Sequence, residues 1–229
     1  DSGESCGYGT MADEELLAAV RRAAAEDFQL LAHCNGDAAA EQYLNAVETV
    51  AAENAALRTQ KPVMIHAQLL AKNQLARVAA LGMIPSFFVA HVLHWGDIHI
   101  QNFGLARASA ISPAHSALEN GIRFTFHQDA PVIEPDMLET VQCAVLRQTR
   151  TGVTLGEGER FSVLEALRAV SCNAAYQYSE EDEKGSLRAG KRADFVILSE
   201  NPLAVSPEKI AEISVLATIK DGVCVFRRK

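Results

Sequence analysis

Short apolar runs alternate with amphipathic helical segments along most of this chain, and few folds accept that order. Residues 12–26 put Leu16, Leu17, Val20, Ala23 and Ala24 on one helical face. The run at residues 28–32 follows and leads into His33. Asn35-Gly36-Asp37 then supplies a turn and a helix N-cap, and Ala40, Tyr43, Leu44, Val47 and Ala51 form a second stripe. A second run at residues 62–65 leads into His66. Helical patterns at 72–81 and 113–120 precede the runs at 84–89 and 123–126. The resulting β-α-β-α-β-α-β order predicts an α/β fold with a parallel sheet and right-handed crossovers, either doubly wound or a barrel. No glycine-rich phosphate loop follows any of the runs.

The rest of the chain changes character. Met137, Leu138, Val141 and Val145 mark a helix within residues 135–150, and Ser162-Val163-Leu164-Glu165 is a capping box opening another. Beyond about residue 184, apolar runs at 193–198, 213–219 and 223–226 follow, with Asp221-Gly222 as a hairpin turn. Residues 1–184 are therefore expected to form a partial barrel and residues 185–229 a small β portion. Four βα units fit between residues 28 and 150, whereas an eight-unit barrel needs about 250 residues. The chain reads as half a barrel with a tail.

Charge narrows the partners. Twenty-one Lys+Arg against 29 Asp+Glu leave a net charge of −8 in 229 residues, and the longest basic block is Arg227-Arg228-Lys229. That balance argues against nucleic acid or an anionic membrane as a partner. No apolar run approaches the roughly 18 residues of a membrane span. The start, Asp1-Ser2-Gly3-Glu4, lacks both the basic and the apolar parts of a signal peptide. Cys6, Cys34, Cys143, Cys172 and Cys224 contain no CxxC pair, so free thiols in a reducing compartment, by default the cytoplasm, are expected.

In parallel α/β folds the C-terminal strand ends open onto the ligand crevice. His33, His66 and His127-Gln128-Asp129 occupy three of the four such ends. Two imidazoles and a carboxylate converging there would hold a borderline or hard cation such as zinc, with a position left for water. Each also has an ordinary structural reading, as a hydrogen-bonded strand-end histidine or a turn-forming aspartate. The segment His91-Val92-Leu93-His94-Trp95-Gly96-Asp97-Ile98-His99 reads as a dense turn after the third strand. Substrate contact, a second metal site through His91, His94 and His99, and surface histidines around a packed Trp95 all fit it. Trp95, Phe87, Phe88 and Phe103 suit either an apolar substrate group or the core. Ser112, Ser162 and Ser171 lack a GxSxG elbow, and Cys34 lacks a thiol-hydrolase context.

Taken in order, His33-Cys34-Asn35-Gly36-Asp37-Ala38-Ala39, Val63-Met64-Ile65-His66-Ala67-Gln68, His94-Trp95-Gly96-Asp97 and Phe126-His127-Gln128-Asp129-Ala130-Pro131-Val132 resemble strand-end motifs of amidohydrolase family 3, the YtcJ-like metal-dependent hydrolases. The tail Lys184-Gly185-Ser186-Leu187-Arg188-Ala189-Gly190-Lys191-Arg192-Ala193-Asp194-Phe195-Val196-Ile197-Leu198 resembles the C-terminal signature of the wider amidohydrolase superfamily. The resemblance implies a (β/α)8 TIM-type barrel carrying a small β-sandwich built from both chain ends. It maps the metal-binding histidines after strands five and six onto His33 and His66. The strand-eight aspartate, a metal ligand that also exchanges a proton with the hydrolytic water, maps onto Asp129. One or two divalent ions, zinc first, and hydrolysis of an amide or other C–N bond in a small molecule are implied. His91, His94, Trp95, Asp97 and His127 are the candidate substrate contacts.

The family's HxH pair after strand one, its Lys or Glu ligand after strand four and its N-terminal sandwich strands have no counterpart here. The expectation is therefore the C-terminal half of such an enzyme, inactive alone. The rival is a non-catalytic folding or assembly half that associates with itself or with a separate N-terminal half.

Overall fold

The computed structural model describes residues 9–229, so the expectations attached to Asp1-Ser2-Gly3-Glu4 and Cys6 lie outside the described residues. In chain order come α1 (Asp13–Ala25), β1 (Leu31–Cys34), α2 (Asp37–Glu53), β2 (Val63–His66), α3 (Leu75–Ala80), β3 (Ile84–Phe87), α4 (His91–Ala108), α5 (Ala114–Glu119) and β4 (Thr125–Phe126). Then follow α6 (Met137–Leu146), α7 (Val163–Ala169), α8 (Cys172–Gln177), β5 (Phe195–Leu198), β6 (Val215–Lys220) and β7 (Val223–Arg227). The α/β reading and its strand–helix alternation hold.

Strands β1 to β4 form one parallel sheet in the order β1-β2-β3-β4, with Cys34, His66, Phe87 and Phe126 in successive register. Every spatial neighbour is also the sequence neighbour. The reversal of order that marks a doubly wound sheet is missing from these strands. Alternate residues face opposite sides. Cys34, Met64 and Phe87 enter the main core with Tyr43, Leu44 and Val47 of α2. On the other side of β1, Leu31 is 42% exposed and His33 is exposed too. Pairing of Leu31 with Val63 starts β1 later than the apolar run suggested, so His33 lies inside the strand and Phe28 outside it.

The imidazole-rich segment is not a turn. It is the first half of α4, an 18-residue helix whose non-helical point is Gly104, at φ 74° and ψ 158°. Nothing between His91 and Phe103 breaks a helix, and four-residue spacing stacks His91, Trp95 and His99 along one side. Their ring centroids lie 4.7 Å (His91 to Trp95) and 5.5 Å (His91 to His99) apart.

Helix α6 begins where Asp136 accepts from the Leu138 and Glu139 amides, and α7 begins at the capping box of Ser162 and Glu165. The pattern at 135–150 ends early, because Arg147 turns left-handed at φ 48°. Its fully buried guanidinium donates to the carbonyls of Leu155 (2.7 Å), Ile111 (2.8 Å) and Ser112 (3.3 Å). Strands β5, β6 and β7 form an antiparallel sheet, and positive φ at Asp221 and Gly222 gives the expected two-residue hairpin turn. No helix among the described residues is long and apolar enough to cross a membrane.

Candidate metal centre

Strand β2 ends on His66, and His127-Gln128-Asp129 follows β4 in the same parallel sheet. Three residues at these ends have left-handed backbones despite carrying side chains: His66 (φ 70°), Ala67 (φ 46°) and Asp129 (φ 53°). Such conformations cost of order 1–3 kcal/mol each and persist only where the surroundings impose them. One ligand atom from each of His66, His127 and Asp129 lies within 4.8 Å of the others. His66 Nε2 stands 4.0 Å from Asp129 Oδ2, and His66 Nδ1 stands 3.2 Å from His127 Nε2. His66 is buried whereas the Asp129 side chain is 44% exposed, so the cluster opens to solvent at its carboxylate. His33 is outside that group of three. Its ring meets His66 edge-on, with centroids 4.6 Å apart. Gln128 is buried and points away, its Nε2 donating to the backbone carbonyl of Asp136.

Burial lowers the pKa of His66, the neighbouring His33 lowers it further, and Asp129 opposes both. Burial pushes His127 down to about 4, with His66 adding to the effect. Both rings are therefore neutral near pH 7, the form that offers a lone pair to a cation. Two neutral imidazoles and an open carboxylate suit a divalent ion of borderline hardness.

Phe88 joins this cluster to α4. Its ring lies 5.4 Å from His127, 4.6 Å from His91 and 5.9 Å from Trp95. His91 is pushed down to about 3 by burial and then by His99. Gln68 Nε2 sits between His91 Nδ1 (3.3 Å) and His99 Nε2 (2.9 Å). The other candidate substrate contacts have polar partners of their own. His94 contacts Glu139 Oε1 (2.9 Å) and Arg150 Nη2 (3.1 Å), and Asp97 accepts from the Thr151 hydroxyl (2.5 Å). Phe87 belongs to the core, and Phe103 stacks on His99 with centroids 5.3 Å apart. Asp37 pairs with Arg107 at 2.7 Å, and Gly36 takes the N-cap position of α2. Cys34 and Cys143 are free thiols pushed up to about 12 by burial, the opposite of an activated nucleophile.

Ser86 belongs to no motif legible in the sequence. Its hydroxyl is 3.0 Å from His127 Nδ1, inside the sheet. The available signal was a serine in the middle of an otherwise apolar strand.

Residues 2–226 match the sequence model of the Amidohydrolase family. The chain is 29% identical over 223 residues to "Putative amidohydrolase YtcJ" of Bacillus subtilis (strain 168), covering 94% of this chain and 41% of that protein. It is 29% identical over 212 residues to the N-substituted formamide deformylase of Arthrobacter pascens, covering 90% and 38%. The crystal structure of an uncharacterized metal-dependent hydrolase from Pyrococcus furiosus superposes with a TM-score of 0.72 at 27% identity, covering 87% of this chain and 39% of that one. This chain thus spans about two fifths of each. With a match along nearly all its length and a His-His-Asp cluster at its strand ends, the chain belongs to the amidohydrolase family.

Proposed function

We propose that this chain is the C-terminal half of a (β/α)8 TIM-type barrel hydrolase that cuts amide or other non-peptide C–N bonds in small molecules with a divalent cation, zinc first. Residues 1–184 make the partial barrel, and residues 185–229 contribute β5–β7 to a small composite β-sandwich. The observation that carries the function is the gathering of His66, His127 and Asp129 within 4.8 Å, with the His33 ring centroid 4.6 Å from that of His66. The half-barrel reading is supported by the sequential strand order, by the two-fifths span of the relatives and by the exposed inner side of β1. A purely structural role for the chain explains neither the left-handed His66 and Asp129 nor the pairing of buried His66 with half-buried His127.

His66, Asp129 and the adjacent His33 would hold the cation, with His127 packed against His66. When bound, such an ion lowers the pKa of its water toward about 7 and polarises the scissile carbonyl. Asp129, half in solvent, takes the proton from the attacking water and passes it to the leaving nitrogen. Phe88, His91 and Trp95 supply an apolar wall beside the reacting centre. One relative is named for N-substituted formamides, so these head the substrate panel. The free thiols fit a cytoplasmic setting.

The test compares the longer parent protein with its Asp129→Asn variant on N-formyl and N-acyl amines. Turnover should fall at least about 100-fold, because a neutral amide cannot accept the water's proton. Undiminished turnover in the variant would remove Asp129 from catalysis. The 229-residue chain alone should show no turnover, and activity in it would refute the half-enzyme reading.

A further inference from the structure

Behind His127 runs a line of buried polar atoms that ligation alone does not require. Ser86 Oγ is 3.0 Å from His127 Nδ1 and 2.8 Å from Thr125 Oγ1. Thr125 Oγ1 is in turn 2.8 Å from Gln177 Oε1. Ser86 and Thr125 are register partners on β3 and β4, and Gln177 ends α8. Each of the three is 3% exposed. Gln177 is itself held, its backbone carbonyl accepting from Gln29 Nε2 at 2.6 Å.

Counting protons gives the line a direction. Gln177 Oε1 only accepts, so the single hydroxyl proton of Thr125 fills that contact. Thr125 must then accept from Ser86. With the Ser86 proton committed, the His127 contact is filled by its Nδ1–H. A neutral His127 is left with a bare Nε2, and the 3.2 Å contact to His66 is filled by His66 Nδ1–H. His66 keeps its lone pair on Nε2, the atom 4.0 Å from Asp129 Oδ2.

We propose that Gln177, Thr125 and Ser86 act through His127 as positioning residues that set the tautomer of His66, leaving Nε2 as the free lone pair at the cluster. The orientation of the Gln177 amide decides the outcome. Turned over, it would donate to Thr125, reverse every link and place a proton on His66 Nε2. The value of this chain for cation binding rests on the metal reading above, whereas the tautomers do not.

Nitrogen NMR on the metal-free 229-residue chain, labelled with 15N-histidine, separates the two cases. Both His66 and His127 should show a protonated Nδ1 and a pyridine-like Nε2. Thr125→Val keeps the side-chain shape and removes the relay. Ser86 can then turn its proton toward His127, and both rings should switch to Nε2–H. Zinc affinity, read by chelator competition, should fall about 10- to 100-fold. Thr125→Ser restores the hydroxyl and should restore both readings. Nε2–H on His66 in the unsubstituted chain, or unchanged tautomers in a folded Thr125→Val variant, would overturn the proposal. Tautomers that switch as expected, with no zinc affinity in the longer parent protein, would uphold the relay and defeat the metal reading.

Discussion

His91 shows how burial writes a pH dependence into one residue. Its folded pKa is pushed down to about 3 by burial and then by His99, against roughly 6.5 in an unfolded chain. Between those values the unfolded state binds more protons. The stability held by the neutral ring is thus complete above about pH 6.5 and is lost as pH falls toward 3, by at most about 1.4 kcal/mol per pH unit. His91→Gln should flatten the fall of the urea midpoint over that window, and an unchanged slope would show that other groups carry it. Gly156 is a steric counterpart. It sits at φ 69°, and an added Cβ would lie 2.1 Å from the carbonyl oxygen of Ser109. Gly156→Ala should cost about 2–4 kcal/mol in chemical denaturation, since backbone has to move. The sequence marks Gly156 only as a glycine; the approach of Ser109 is a matter of folding.

Among the elements, α6 links stability to the site. Its cap, Asp136, accepts from two backbone amides, and its own carbonyl receives Gln128, the residue between His127 and Asp129. Asp136→Ala should lower stability by about 1 kcal/mol in thermal unfolding, the usual worth of an N-cap. Asp136→Asn, which keeps an accepting oxygen, should lose much less, and equal losses would show that the cap bonds are not the cause. Helices α6 and α7 were legible because caps and stripes are local chemistry. Helix α4 was not, since its imidazoles and indole give no simple apolar stripe. His91 packs against Phe88, just ahead of the helix, and meets Gln68, 23 residues earlier, contacts that no helical stripe encodes. Arg147 was invisible for the same reason: three carbonyls from other segments make its burial tolerable.

Over the described residues of the whole molecule, apolar side chains are exposed beside β1 and along β7. Phe28 is 61% and Leu31 42% exposed, and Val223, Val225 and Phe226 are exposed on β7. A groove of about 860 Å³ lies between α6, α7 and the small sheet, lined by Met137, Val141, Leu167, Val196 and Val215. Strands β1 and β4 each have one hydrogen-bonded neighbour within their sheet. Such faces and edges associate. The isolated chain should sediment above its 24.7 kDa monomer mass as concentration rises, and a monomer throughout would count against the half-barrel reading. The amino-acid sequence alone determined the alternation of strands and helices, the capping box at Ser162, the hairpin turn and the strand-end placement of His66, His127 and Asp129, because each rests on residues close in the chain. Tertiary structure alone decided which ligand atoms meet. That depends on left-handed turns at His66 and Asp129 and on register between β3 and β4, which bring residues some sixty positions apart within hydrogen-bonding distance.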